Sequence, residues 1–241
     1  MNASTLKKTI LYSLLATSIA IGGFFGFKKL DGVRRENAVK NSSLYSYVMS
    51  KKPLNEEIYT IIETRDGISD TQIVIIDTVG ARDFIFESFK NNFDYLAIFE
   101  AQRTDRGRDS LILNAVAKEL DKKFVQVNSD NLDKLLYKKD TLRPVDIYGR
   151  DNACYTSSIA LAGIAHALGI PSQLISIYNF DIPRHAALVL DGTCSNLVVD
   201  NSPEEYGLRG YVMPLDWFRG CWNDPPGLYQ IKIEQKITTS E

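Results

Sequence analysis

Cysteine and histidine are scarce in this chain, with three of the first and two of the second among 241 residues. Cys154, Cys194 and Cys221 contain no C-x-x-C pair, which removes the usual zinc sites, and three scattered thiols cannot build a disulfide framework. An odd count leaves at least one thiol free, and spacing alone does not decide whether Cys194 and Cys221 are bridged. Charge of one sign is missing too. The net charge of -2 and a pI near 5.8 come without any basic stretch interleaved with aromatics, so nucleic acid is excluded as the expected partner. No internal repeat or low-complexity block points to a solenoid. No motif calls for a metal or an organic cofactor, and none is expected.

What is present starts with an apolar run. Ile10–Phe27 (ILYSLLATSIAIGGFFGF) carries no charge, and eighteen helical residues rise about 27 Å, close to the hydrocarbon thickness of a bilayer. A transmembrane helix or uncleaved signal anchor is the preferred reading over a cleaved signal peptide ending near Ser18-Ile19-Ala20, which would leave Ile21–Phe27 attached. Basic residues flank the run on both sides, Lys7 and Lys8 before it and Lys28, Lys29, Arg34 and Arg35 after it. The side of the membrane that holds the rest of the chain stays undetermined. The expected organisation is a tail at 1–9, the membrane segment at 10–27, a polar juxtamembrane linker at 28–41, one domain at 42–234 and a frayed tail at 235–241. A 44% hydrophobic composition suffices for one core of ordinary size.

Within that domain, Leu54–Glu63 is predicted as a helix following Pro53, and Gln72–Val79 (QIVIIDTV) as a buried strand, with a turn at Asp66-Gly67 between them. Phe84, Ile85, Phe89 and Phe93 recur at helical spacing. Ser110–Leu120 (SLILNAVAKEL) is predicted as an amphipathic helix capped by Asp109 or Ser110. Arg103, Arg106 and Arg108, interleaved with Asp105 and Asp109, read as a solvated loop. Lys134–Arg143 reads as an exposed polar stretch, and Tyr229–Ile237 as a last strand.

The richest stretch runs from Asp151 to Pro203. Asp151 or Asn152 is a suitable N-cap for a helix to Leu168, closed by Gly169 with Pro171 just beyond. Cys154 then falls in the first turn, where unpaired backbone N–H groups and the positive end of the helix dipole favour a thiolate and can receive an oxyanion. Ala160, Ala162, Gly163, Ala165 and Ala167 let this helix lie close against a sheet. His166 is on the same helix, about 18 Å along the axis from Cys154, and is therefore assigned to packing or the surface. His185, at the start of a strand HAALVL, is the histidine left to act as base.

Asp191-Gly192 predicts a turn, so His185–Leu190 and the strand ending at Asp200 should form an antiparallel hairpin. A four-residue loop sets His185 directly opposite Asp200; a two-residue loop sets it opposite Val198 with Asp200 diagonal. Any even loop keeps both side chains on one face, and an odd loop separates them. There a carboxylate fixes the imidazole tautomer and steadies the imidazolium.

On these residues the chain resembles the transglutaminase-like superfamily of papain-related cysteine enzymes. The resemblance is carried by Cys154 opening a small-residue helix, Gly169-Ile170-Pro171 closing it, His185-Ala186 in the following strand, and Asp200 ending the next; it spans roughly 110–202. It implies an α+β fold with the nucleophile's helix packed on an antiparallel sheet. It also implies a Cys154, His185, Asp200 triad that cleaves or transfers amide groups of a peptide or protein through an acyl-thioester, without a cofactor. The chain departs from the family in having Ala187 where an aromatic residue commonly follows His-Ala, and Asp200-Asn201-Ser202 where Asp-Pro-Thr is usual. Gln126, Tyr148 and Asn152 are candidates for a second oxyanion donor. Trp217 and Trp222 are expected to pack the C-terminal core or rim the cleft. Two rival readings are a catalytically inactive transglutaminase-like module that binds a peptide or partner at the membrane, and an arylamine acetyltransferase-like thiol enzyme. Oligomeric state is not legible.

Overall fold

The computed structural model describes residues 31–54, 57–63, 69–124, 141–150, 153–179, 182–200, 211–222, 230–233 and 235–236. Among them, no helix is long and apolar enough to cross a membrane. The run at 10–27 lies outside the described residues. So do Lys134–Asp140, the Asp66-Gly67 turn, Gln126, Asp151 and Asn152.

The fold is α+β. Helix α1 covers residues 31–40 and takes the place of the expected linker. Its outer face carries i,i+4 ion pairs, Arg35 with Asp31 at 2.9 Å and Lys40 with Glu36 at 2.8 Å, while Val39 is buried in the core. Helix α2, Ser43–Ser50, buries Leu44 and Val48. The segment expected to continue as a helix is instead strand β1, Glu57–Glu63, paired along its whole length with β2, Ser69–Ile75. Isoleucines at 58, 61 and 62 imitate helical spacing, but EIYTIIE is rich in β-branched residues, and a hairpin partner lies just beyond. Strand β2 ends before the predicted Val79. Val74 is buried and Ile75 exposed, so the strand alternates where a continuous buried run was expected. Asp77 then caps helix α3, Thr78–Asn91, by accepting from the Gly80 N–H at 2.9 Å. Phe84, Ile85 and Phe89 face the core as predicted, whereas Phe93 lies in the link to α4, Asp94–Ala101.

Helix α5, Asp105–Asp121, starts earlier than predicted because Thr104, rather than Asp109 or Ser110, is its cap, accepting from the Gly107 N–H at 3.1 Å. Arg106 and Arg108 are therefore helical, and Arg108 lies over the rings of Tyr47 and Phe99. Strand β3, Thr141–Leu142, joins β2 in parallel, giving a four-stranded sheet in the order β3-β2-β1-β9, with β9 at Gln235–Lys236.

Helix α6, Cys154–Ala167, is almost wholly buried and packs against α3, α5 and the second sheet. Its close approach depends on Gly163, where an added Cβ would come within 2.8 Å of Pro144. It ends as the sequence predicts: Gly169 takes φ +73°, and the Ile170 N–H reaches back to the Ala165 carbonyl at 2.8 Å. That second sheet is antiparallel throughout, in the order β7-β6-β5-β4-β8, with β4 Ser172–Asn179, β5 Ile182–Leu190, β6 Leu197–Val199, β7 Val212–Pro214 and β8 Gln230–Ile233. Helix α7, Leu215–Trp222, follows β7. Strand β9, Gln235–Lys236, pairs with β1, so these two residues join the first sheet instead of a frayed tail.

The two faces of the five-stranded sheet differ. One, through Ala186, Leu188, Leu190 and Val199, belongs to the main core with α3, α5 and α6. The other carries a small separate cluster of Ile175, Ile177, Ala187, Val198, Met213, Phe218 and Trp222.

Candidate active site

Cys154 is the first residue of α6. The N-cap is Ala153, so the cap comes from elsewhere: the Ala153 N–H donates to Thr156 Oγ1 at 2.9 Å, the side chain reaching back as in a capping box. The Cys154 side chain is half-buried and the thiol is free. Cys194 and Cys221 are also free, the first buried and the second exposed, so they form no bridge.

His185 lies within β5, which begins three residues earlier than predicted, at Ile182. A bulge between Ile177 and Tyr178 of the neighbouring strand shifts the register just before it. Downstream the ladder is regular, pairing Leu190 with Leu197 and Leu188 with Val199. The connection is thus six residues long, Asp191–Asn196, neither the four nor the two predicted. It is lengthened by a 3-10 turn at Gly192–Cys194, with Asp191 accepting from the Gly192 N–H, and by left-handed backbone at Gly192 and Asn196. Six is still even. Asp200, one residue past β6, falls diagonal to His185 on the same face, and its carboxylate meets the ring: His185 Nε2 and Asp200 Oδ2 are 2.6 Å apart. Both side chains are sealed from solvent.

Burial works against a charge on this imidazole, but the Asp200 carboxylate outweighs it through charge and hydrogen bonding. Hydrogen bonding and charge at Cys154 act in the same direction, and His185 is raised from 6.5 to about 10. The three residues predicted to belong together are therefore in electrical contact.

Of the two tryptophans expected to pack the C-terminal core or rim the cleft, Trp222 packs that core and covers the His185 ring. Trp222, the last residue of α7, stacks on the His185 ring with centroids 5.3 Å apart and planes 19° from parallel. It is buried, whereas Trp217, five residues earlier, is 38% exposed. Ala187, the departure from the family pattern, lies on the His185 face in the same small cluster as Trp222. A bulky ring at 187 would compete with the indole for that space.

Tyr148 is not placed as an oxyanion donor. Its ring stacks on Phe84 at 4.3 Å and its hydroxyl donates to the Ala160 carbonyl, while burial pushes its ionisation upward. His166 is buried in the helix packing. No group of three or more potential metal ligands occurs among the described residues.

Compared with protein-family models, curated proteins and solved structures, the chain has no match.

Proposed function

We propose that this chain is a transglutaminase-like cysteine hydrolase or acyltransferase that acts on amide or peptide bonds through an acyl-thioester on Cys154. The observation that carries the reading is the buried His185–Asp200 pair at 2.6 Å acting on a half-exposed thiol at a helix start. A structural cysteine would be sealed in apolar surroundings; this one adjoins a polarised imidazole and keeps access to solvent.

In this reading the Cys154 proton is already carried by His185 as part of a sulfur–imidazolium pair, and the sulfur attacks the amide carbonyl, forming a C–S bond as the carbonyl π pair moves to oxygen. Backbone N–H groups in the first turn of α6 face the developing oxyanion. Collapse re-forms the carbonyl and breaks the C–N bond, with the His185 proton passing to the departing amine. Water then releases a carboxylic acid, or a second amine takes the acyl group. Asp200 orients the ring, and Trp222 keeps water from the pair.

The apolar run at 10–27 supports placing this activity at a membrane through a single N-terminal anchor. Protease accessibility of the domain in intact cells reads the side.

The test is to trap the intermediate. With amide substrates, acid quench followed by peptide mass analysis should find acyl adducts on Cys154, and Cys154→Ala should lose both adduct and turnover. Turnover that survives in Cys154→Ala and resists iodoacetamide would exclude the mechanism.

A further inference from the structure

Helix α5 carries a carboxylate near each end, and the two grip opposite ends of the chain segment that delivers Asp200. Near its start, Asp109 Oδ2 accepts from Thr193 Oγ1 at 3.2 Å, inside the loop between β5 and β6. At its last residue, Asp121 Oδ2 accepts from the Tyr211 hydroxyl at 2.6 Å. Tyr211 in turn offers its carbonyl to the Asp200 backbone N–H at 2.8 Å. Twelve helical residues rise about 18 Å, and the seven residues from Thr193 to Asp200 reach about 24 Å at full extension, so the helix can hold both ends without stretching the segment.

The end near Asp200 is the more delicate. The paired part of β6 stops at Val199, and Asp200 lies one residue beyond the ladder, where the Tyr211 carbonyl holds its backbone. The Tyr211 side chain is half-buried, and its contact to Asp121 is short and charge-assisted, which makes it a strong and directional anchor. A small slide of this edge would change the distance from Asp200 to His185 on the adjacent strand β5.

We propose that Tyr211, held by Asp121, is a positioning residue for Asp200: the α5 carboxylate fixes the strand edge from which Asp200 hangs, and thereby the Asp200–His185 hydrogen bond. The kinetic consequence rests on the thiol-enzyme reading; the positioning itself does not. The charged groups acting on His185 are Asp200 from the end of β6 and Cys154 from α6, with the uncharged Trp222 ring over it from α7.

The experiment is an NMR titration of the imidazole signals of the full-length chain, which has only two histidines to assign. Tyr211→Phe removes the hydroxyl and keeps the ring. It should lower the His185 midpoint by about one unit and kcat by about five- to tenfold, with KM unchanged. Asp121→Asn should do the same, and it reads the same contact if Tyr211→Phe folds poorly. Thr193→Val, at the distal grip, should lower thermal stability and leave the His185 midpoint where it is. Wild-type His185 titration in both Tyr211→Phe and Asp121→Asn would overturn the proposal, as would an equal shift in Thr193→Val. If Cys154 is inert while Tyr211→Phe still moves the titration, the positioning role stands and the enzyme reading falls.

Discussion

Two aspartates in this fold are fully buried beside a cation and close to a cysteine, yet their surroundings make them different devices. Asp109 accepts from the Tyr47 hydroxyl at 2.8 Å, the Lys51 ammonium at 3.1 Å and the Thr193 hydroxyl at 3.2 Å. Burial of the neighbouring Cys194 thiol, reinforced by the Asp109 charge, pushes its ionisation upward, away from reactivity. Asp200 faces an imidazole, and that ring turns toward a thiol with access to solvent. A lysine beside a carboxylate is a fixed charge that ties elements together; a histidine is a proton carrier. The lesson is that a buried carboxylate near a cysteine says little until the group between them is known.

Removing the two thiols should give the widest separation. Cys154→Ala is expected to cut amide turnover by about 10³-fold or more, while Cys194→Ala leaves turnover within about twofold and costs at most about 1 kcal/mol of stability. Comparable losses from both would erase the distinction.

Neutralising the aspartates should divide stability from chemistry. Asp109→Asn leaves Lys51, 16% exposed, without its counter-charge and is expected to cost about 3 kcal/mol, with turnover per folded molecule preserved. Asp200→Asn should lower kcat by roughly 10²- to 10⁴-fold, because a neutral amide neither steadies the imidazolium nor holds the ring in one tautomer. Denaturant melts paired with active-site titration would measure both quantities.

The covering ring gives a smaller effect. Trp222→Ala is expected to lower kcat by about tenfold and to draw the alkaline limb of the rate profile toward neutrality, as water screens Asp200 from His185; Trp222→Phe should recover part of each. A profile unmoved by Trp222→Ala would make the stack a packing contact only.

Protonation should also be visible in stability. Folding raises His185 from 6.5 to about 10, so its contribution is complete below pH 6.5 and disappears as pH climbs through about 10. Thermal midpoints should fall over that window, and Asp200→Asn should flatten the slope.

The sequence exposed the site better than the fold around it, for identifiable reasons. Side-chain alternation has period two, so placing His185 and Asp200 on one face required only an even loop, and that reasoning survived a loop longer than either considered. The precise partner across the hairpin did not survive, because left-handed backbone at Gly192 and Asn196 builds a six-residue turn that the dipeptide Asp191-Gly192 does not specify. The stop of α6 was legible from Gly169, whose conformation is local. Strand β1 was misread because its isoleucines suit either period and a partner strand at Ser69–Ile75 decided the matter. Trp222 was legible as a residue of the C-terminal core or cleft rim, but its stacking on His185 and the Tyr211–Asp121 contact were not, because each joins elements far apart in the chain.

The most direct measurement is the alkylation rate of Cys154 by iodoacetamide at pH 7, followed by peptide mass, in the wild type and in His185→Ala. If the imidazole activates the thiol, the variant should react at least about tenfold more slowly while the exposed Cys221 is labelled at the same rate in both. Equal rates at Cys154 would mean that His185 and the thiol are neighbours without being partners.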